Sequence, residues 1–393
     1  MAMPLCKGRM ILAVLTLGLF VALSSWPAEP VADPVKAGPY PVGVTTVLLV
    51  DHSRTDNALA GGPRSLMTEI WYPATDDARG LPKNRLLDFF NRNSDPGFAV
   101  LLQMAFGVDL IQADKDFRND AVRDARVRDG RFPLVVFSHG NGGLRMQNAF
   151  WCEHMASHGY IVMAPDHTGN CAVTFIDGRM IPFNTTEDGR EQSRQDRPKD
   201  VSFLIDVMER MNKGADSRFL GKVDLDHIGV AGHSFGGFTS TWVADADPRV
   251  DAIAPMAGAA GERSNYTCPV MVLAAAEDDT LGPERMADLR RYYDQSEGPR
   301  YLVEFLNAGH YSFTEMYQLK SDFGDGCGTG TRITNGEPLT YIAMDVAFPL
   351  IKGYTAAFFG KYLKGLDGYD AYLAANHNPD ELVVKSSVAD TPQ

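Results

Sequence analysis

The sequence predicts an α/β protein with a mostly parallel central sheet and helices on both of its faces. From Phe132 onward, short apolar runs alternate with segments of helical periodicity. The runs are continuously apolar, as in strands that are buried on both faces, and the segments between them are amphipathic. The chain has 393 residues, 45% of them hydrophobic, and can therefore bury a large core. These observations favour one α/β domain spanning residues 29–393.

The first two predicted strands precede this alternation. "VTTVLLV" and "SLMTEIWYP" are joined by the turn-rich "DHSRTDNALAGGPR", which predicts an antiparallel start to the sheet. The later predicted strands are "PLVVFSHG", "YIVMAPDH", "IGVAGHS", "DAIAPMAG", "PVMVLAAAEDD" and "RYLVEFLNAGH". The predicted helices are residues 145–158, 199–211, 237–246, 283–293 and 341–364.

Two segments interrupt this plan. Residues 84–130 contain the apolar patterns "LLDFFNRN" and "FAVLLQMAFGVDLI", followed by a charged stretch. We interpret them as an inserted helical segment that either covers the mouth of a site as a lid or packs elsewhere on the domain. Residues 171–198 are polar and end in "REQSRQDRP", which favours a solvated loop.

The first 28 residues have the order of an export signal. Lys7 and Arg9 precede the apolar "ILAVLTLGLFVAL", and small residues and prolines follow up to Ala28. The apolar run is too short to span a bilayer comfortably. We therefore predict a signal peptide over residues 1–28 and a periplasmic or secreted mature protein.

Charge and cysteine content limit the classes of partner and covalent framework. A net charge of −13 argues against a nucleic-acid-binding surface, which needs clustered Lys and Arg. The cysteines beyond the predicted signal would permit one or two disulfides in an oxidising compartment, with the pairing undetermined. They are Cys152, Cys171, Cys268 and Cys327.

"AGHSFGG", residues 231–237, is the first candidate catalytic motif. Ser234 lies between the predicted strand "IGVAG" and the predicted helix "GFTSTWVADA", as in a nucleophile elbow. Gly232 and Gly236 allow close backbone packing, and the start of a helix favours developing negative charge. A purely structural glycine-rich turn is the alternative.

A catalytic serine needs a histidine base and a carboxylate that orients it. "YLVEFLNAGHYSF" is a predicted strand that ends at His310, whereas His377 lies in the polar "AANHNPDE". We therefore predict His310 as the base. This choice fits the chain order serine, acid, histidine.

The acid is expected in "VMVLAAAEDDTLGP", a predicted strand that ends in three adjacent carboxylates. Asp279 stands four residues before Pro283 and is the predicted acid. Asp278 is the alternative, and Glu277 is a weaker candidate. Neighbouring acidic residues at a strand end are also common turn formers.

The glycine-rich "VVFSHGNGG" follows another predicted strand and suits the presentation of backbone N–H groups to an oxyanion. We assign the two donors to the backbone amides of Asn141 and Phe235. His154 and His158 are four residues apart on a predicted helix, but the H-E-x-x-H order and a third ligand are missing. No metal site is predicted there.

Several of these stretches resemble one known family. "GPYPVGVTTVLLVD", "EIWYPA", "FPLVVFSHGNGG", "MASHGYIVMAPDH", "GHSFGG" and "NAGHYSF" are similar to the platelet-activating-factor acetylhydrolase and dienelactone-hydrolase-like branch of the α/β-hydrolases. The resemblance implies an α/β-hydrolase fold and a serine esterase. It implies Ser234, Asp279 and His310 as the triad, with Asn141 and Phe235 as oxyanion donors. True dienelactone hydrolases carry cysteine instead of serine at the nucleophile.

We therefore expect an exported serine carboxylic-ester hydrolase that needs no cofactor. Its substrates would be short-chain, lipid-like or polymeric esters, with contact to a lipid interface left open. A serine peptidase on the same fold is one alternative, and a non-catalytic binding protein is another. The oligomeric state does not follow from the sequence.

Overall fold

A ten-stranded sheet forms the centre of the described structure. The computed structural model describes residues 31–90, 103–104, 107, 109–260 and 267–388. The strands are β1 (Val42–Asp56), β2 (Gly62–Pro73), β3 (Val122–Arg123), β4 (Phe132–Ser138), β5 (Ile161–Pro165), β6 (Val173–Ile176), β7 (Arg179–Pro182), β8 (Val223–His233), β9 (Ala252–Met256), β10 (Val270–Ala275), β11 (Arg300–Phe305), β12 (Thr329–Thr331), β13 (Pro338–Thr340) and β14 (Leu382–Ser387).

The strand order in the sheet is β14-β11-β10-β9-β8-β4-β5-β2-β1-β3. Strands β5, β4, β8, β9, β10 and β11 run parallel to their neighbours in this series. Strand β2 is antiparallel to both β1 and β5, and β14 is antiparallel to β11. The predicted mostly parallel sheet with an antiparallel beginning is confirmed.

Helices cover both faces of this sheet. The helices of the described residues are α1 (Leu86–Phe89), α2 (Leu110–Asp116), α3 (Ala149–Ser157), α4 (Glu187–Arg210), α5 (Phe235–Ala246), α6 (Gly282–Gln295), α7 (Met316–Leu319), α8 (Met344–Lys364) and α9 (Asp370–Ala374). Alternate residues of one strand face opposite sides. Val135 and Phe137 of β4 accordingly belong to an apolar cluster with residues of α3 and α8, whereas Leu134 and Val136 belong to a second cluster with residues of α4, α5 and α6.

The segment at residues 171–198 departs from the expected loop. It contains the hairpin β6–β7, and α4 begins at Glu187 rather than near Lys199. Thr186 accepts a hydrogen bond from the Gly189 N–H, and Glu187 and Asp188 place negative charge in the first turn. This local capping explains why a polar stretch without an apolar stripe is helical.

The insertion at residues 84–130 is described only in part, because residues 91–102, 105–106 and 108 lie outside the described ranges. Asp114 of α2 accepts from the Leu87 N–H of α1 at 2.9 Å and pairs with Arg85. Strand β3 then pairs with β1 at the edge of the sheet. The described parts of the insertion are therefore bonded to each other and to the domain.

The predicted signal peptide lies outside the described residues. Across residues 31–388, omitting the undescribed stretches, no helix has the length and apolar character needed to cross a bilayer. Cys152, Cys171 and Cys327 are buried free thiols. The Cys268 thiol donates to the Pro269 carbonyl at 3.3 Å.

Candidate active site

Ser234 lies between the end of β8 and the start of α5. Its backbone has φ 55° and ψ −118°, a strained conformation for a residue other than glycine. The Ser234 N–H donates to the Met256 carbonyl at 2.8 Å, which fixes the turn against β9. A Cβ atom at Gly232 would clash with the Gly236 carbonyl, so the turn requires glycine there. The sequence-based expectation of a sharp strand-to-helix turn is met.

His310 follows β11 and is bonded to Asp278. The His310 Nδ1 and Asp278 Oδ2 atoms are 2.8 Å apart, and both side chains are buried. Asp278 also accepts from the Leu281 N–H at 2.8 Å. Burial raises the pKa of the Asp278 carboxyl, and the hydrogen bond from His310 partly offsets this rise.

The prediction that Asp279 orients His310 is wrong. Asp279 is exposed, and its backbone N–H donates to Asp325 at 3.2 Å. Consecutive side chains leave this turn in different directions, so the neighbouring Asp278 is the one that faces the histidine. The spacing of four residues between Asp279 and Pro283 does not indicate which of the two aspartates faces His310.

Asp325 is a site residue that the sequence reasoning missed. Its carboxylate accepts from the backbone N–H groups of His310 at 3.0 Å and Thr280 at 2.9 Å. Asp325 therefore connects the loop that carries His310 to the loop that carries Asp278 and Thr280. Its stretch, "SDFGDGCGTG", has only the pattern of a turn, so no local signal identified it.

The glycine loop after β4 lies beside Ser234. A Cβ atom added to Gly140 would lie 3.4 Å from the Ser234 Cβ. Asn141 follows in the loop and lines the same cavity as Ser234 and His310. Phe235 is the first residue of α5, so its N–H has no partner within the helix. Both predicted oxyanion donors are thus on segments adjacent to the serine.

Gln147 connects this loop to the histidine. Its Oε1 accepts from the Gly140 N–H at 3.0 Å, so its Nε2 is the atom that donates to His233 Nδ1 at 2.9 Å. His233 Nε2 then donates to the His310 carbonyl at 2.9 Å. This assignment makes His233 a neutral imidazole, in agreement with the lowering of its pKa by burial.

A second Ser–His–Asp chain lies beneath the loop. Ser138 Oγ and His167 Nε2 are 2.9 Å apart, and His167 Nδ1 is 2.9 Å from Asp200 Oδ2. All three residues are fully buried. Burial lowers the pKa of His167 to about 3, so the imidazole is neutral. These three side chains have no access to solvent or to the cavity beside Ser234, so they cannot react with a substrate. They support the glycine loop instead.

Ser234, His310 and Asn141 open into a cavity of about 330 Å³. Most of its lining is apolar and comes from the insertion, the glycine loop and the α7 region. The apolar lining residues are Leu86, Phe90, Leu110, Phe117, Leu144, Met146, Met316, Leu319 and Phe323. The arrangement places the Ser234 hydroxyl and the His310 imidazole at the polar end of a hydrophobic pocket.

We expect Glu315→Gln to flatten the pH dependence of stability between about pH 4.5 and 8. Glu315 lines the cavity, and burial raises the pKa of its carboxyl from 4.5 to about 8. The unfolded chain therefore releases this proton near pH 4.5, whereas the folded protein holds it to about pH 8. Its contribution to stability is complete below pH 4.5 and is lost as the pH rises through this window.

Urea unfolding at pH 5 and pH 8 measures this effect. The wild-type protein should lose more free energy of unfolding between the two pH values than Glu315→Gln. The glutamine keeps an acceptor for the Phe150 N–H, which Glu315 Oε1 bonds in the wild type. Equal losses in the two proteins would show that Glu315 does not titrate in this range.

His154 and His158 hold the beginning of the described chain. His154 Nε2 lies 2.8 Å from the Pro34 carbonyl, and His158 Nε2 lies 2.9 Å from that of Lys36. In the described part of the chain, no group of three or more His, Cys, Asp or Glu side chains is arranged to hold a metal ion. His377, the alternative base, is exposed and bonds the Tyr372 carbonyl.

Two family models match the chain. Residues 29–195 match "Platelet-activating factor acetylhydrolase, isoform II", and residues 124–319 match "PET hydrolase-like". The platelet-activating factor acetylhydrolase of Cavia porcellus is 24% identical over 88% of this chain and 81% of its own. That of Canis lupus familiaris is 26% identical over 62% of this chain and 60% of its own.

Comparison with a solved structure supports the α/β-hydrolase fold. The ferulic acid esterase from Streptomyces cinnamoneus superposes with a TM-score of 0.64 and 28% sequence identity, covering 84% of this chain and 92% of that chain. Fold, cavity and matches agree with the resemblance found in the sequence. The chain has the α/β-hydrolase fold, is similar to platelet-activating factor acetylhydrolases and to PET hydrolase-like proteins, and is an ester hydrolase.

Proposed function

We propose that this ester hydrolase acts through an acyl-enzyme formed on Ser234, with His310 as base and Asp278 as its orienting acid. The observation that carries the proposal is the strained turn of Ser234, which shares one cavity with His310. His310 takes the serine proton as the hydroxyl attacks the ester carbonyl. Its Nδ1–H donates to Asp278, which selects the tautomer whose Nε2 accepts that proton.

The backbone N–H groups of Asn141 and Phe235 stabilise the oxyanion of the tetrahedral intermediate. His310 then returns the proton to the leaving alcohol. Water, activated by the same histidine, attacks the acyl-enzyme and releases the acid. Asp325 and Gln147 hold the loops that carry His310 and Asn141 in position, because they accept hydrogen bonds from the N–H groups of His310 and Gly140.

The cavity supports a small or medium-sized apolar acyl group as the substrate moiety. Its volume of about 330 Å³ is near the lower end of the usual range for ligand pockets. Leu86, Leu110 and Phe117 of the insertion contribute to its wall, which supports a covering role for residues 84–130. A polymeric ester or a lipid at an interface would present the same acyl chemistry at the mouth.

Hydrolysis of a p-nitrophenyl ester series from acetyl to palmitoyl tests this proposal. We expect the highest kcat/KM on butyryl to octanoyl esters and a clear fall at palmitoyl, because the cavity walls limit chain length. A rise in kcat/KM that continues to palmitoyl would contradict the limited pocket. A matched amide series should be hydrolysed far more slowly, and a preference for the amides would favour a peptidase.

Labelling with an active-site phosphonate identifies the nucleophile directly. Peptide mass spectrometry should find the label on Ser234 and none on the buried Ser138. A folded protein that neither hydrolyses esters nor takes the label would instead be a binding protein on this fold.

Export is supported by the order of basic, apolar and small residues in positions 1–28. Sequencing the N-terminus of the protein recovered from the periplasm or the medium tests it. A mature chain that begins near residue 29 is expected, and recovery of the chain with its leader intact would contradict cleavage.

A further inference from the structure

Arg197 lies in α4 beneath the glycine loop and is fully buried. Its Nη1 donates to the His139 carbonyl at 2.6 Å, and its Nη2 donates to the Gly140 carbonyl at 3.1 Å. The guanidinium carbon also lies 4.7 Å from the centre of the Phe235 ring. One side chain therefore contacts both segments that carry the oxyanion donors.

The bonds of His139 confirm which atoms Arg197 holds. His139 Nε2 accepts from the His167 N–H at 3.1 Å, so the proton of this neutral ring is on Nδ1. That Nδ1–H donates to the Gly140 carbonyl at 2.6 Å. It cannot also accept from Arg197. The guanidinium therefore has carbonyl oxygens of the loop as its main acceptors, with Ser138 Oγ a longer contact at 3.3 Å.

Holding the Gly140 carbonyl also orients the next N–H group. A trans peptide is planar, and its C=O and N–H point in opposite directions. All peptides of the described chain are trans. The Gly140 carbonyl accepts from Arg197, from His139 and, at 3.1 Å, from the Gly143 N–H of the same loop, so the N–H of Asn141, in the same peptide plane, points away from these donors. The second donor belongs to Phe235, whose ring packs on the same guanidinium.

Arg197 is also an unusual buried charge. Among the described residues, no carboxylate forms a direct ion pair with it, whereas the neighbouring Arg64 pairs with both Asp56 and Asp200. Its Nε is buried without a hydrogen-bond partner. A buried cation without a direct counter-ion is costly for folding, and an apolar side chain of similar size would avoid that cost. This arrangement favours a role beyond stability.

We propose that Arg197 is a positioning residue for the oxyanion hole, a role that rests on the proposed serine-esterase function. It holds the Gly140–Asn141 peptide from below and fixes the start of α5 through the Phe235 ring. It does not touch the substrate. Loss of Arg197 should therefore weaken transition-state binding more than ground-state binding.

Arg197→Met, Arg197→Lys and the matched control Arg64→Met test this role. All would be compared with the wild-type protein on one ester, at a temperature where circular dichroism shows each variant folded. Arg197→Met should lower kcat by about 10- to 100-fold and change KM by less than about twofold. Binding of a trifluoromethyl ketone, whose adduct with Ser234 places an oxyanion in the hole, should weaken by the same factor.

Arg64→Met removes a buried arginine from the same network without touching the glycine loop. It leaves Asp56 and Asp200 without this partner, so its Tm should fall further than that of Arg197→Met, while kcat stays within about threefold of wild type. Arg197→Lys keeps the charge but loses the planar group that spans two carbonyls, so about a tenfold loss of kcat is expected. This variant decides the question if Arg197→Met does not fold.

Unchanged kcat and ketone affinity in the folded Arg197 variants would overturn the positioning role. An equal loss of kcat in Arg64→Met would also overturn it, because the effect would then follow general destabilisation. Ser234→Ala serves as the separate control. If Ser234→Ala still hydrolyses the ester, the proposed function itself is wrong. If Ser234→Ala is inactive while the Arg197 variants are fully active, only the proposed role of Arg197 is wrong.

Discussion

Ser234→Ala is expected to lower kcat by about 10⁶-fold, the scale at which a serine hydrolase loses its nucleophile. Alanine removes the only atom that could form the acyl-enzyme but keeps the Cβ. The strained turn is held by backbone bonds, including Ser234 N–H to the Met256 carbonyl. The Tm should therefore change little. Burst kinetics on a p-nitrophenyl ester, with Tm measured on the same sample, check both statements.

Ser138→Ala is the matched control, because Ser138 has the same hydrogen-bonded histidine and aspartate arrangement as a catalytic serine. It is sealed in the interior, so its loss should leave kcat within about tenfold of wild type. The expected consequence is a lower Tm, since the buried His167 loses a partner. If Ser138→Ala abolished turnover while Ser234→Ala did not, the buried chain would be the active one.

Asp278→Asn is expected to lower kcat by about 10⁴-fold with little effect on KM, as for other triads whose acid becomes an amide. An asparagine can present an N–H to His310 Nδ1, which would favour the tautomer with its proton on Nε2. That tautomer cannot accept the serine proton. Steady-state kinetics of the folded variant measure the loss.

Asp279→Asn provides the comparison at the neighbouring position. Its side chain is exposed, and the contact that holds this residue is made by its backbone N–H to Asp325. The substitution leaves that contact intact, so kcat should remain within about twofold of wild type. A large loss in Asp279→Asn with an active Asp278→Asn would reverse the assignment of the acid.

Asp278 and Asp279 show which part of the site the sequence pattern can predict. The pattern correctly indicated a carboxylate at the end of β10 and a histidine at the end of β11, because parallel strands bring their carboxyl ends to one edge of the sheet. It did not indicate which carboxylate faces His310. That choice depends on the backbone path after Ala275 and on Asp325, which bonds the turn from a distant loop.

Arg197 is a second site feature that the sequence pattern did not predict. The favoured prediction of a solvated loop over residues 171–198 was wrong, because the segment forms the hairpin β6–β7 and, from Glu187 onward, the start of α4. Residues 187–198 have no apolar stripe. The inner side of this part of α4 packs on a buried polar network instead of an apolar core, so the usual helical pattern is absent. The two hydrogen bonds from Arg197 to the glycine loop join residues 58 and 57 positions apart in the chain.

Local patterns were sufficient for the strand–helix alternation, the sharp turn at Ser234, the position of His310 after β11 and the glycine loop. Each depends on residue types and spacing within one short segment. Tertiary packing decided which aspartate contacts His310, the contacts made by Asp325, Gln147 and Arg197, and the cavity that the insertion helps to enclose. These features arise only where separate segments meet, because burial and hydrogen-bond geometry there select one side chain among several of the same chemical type.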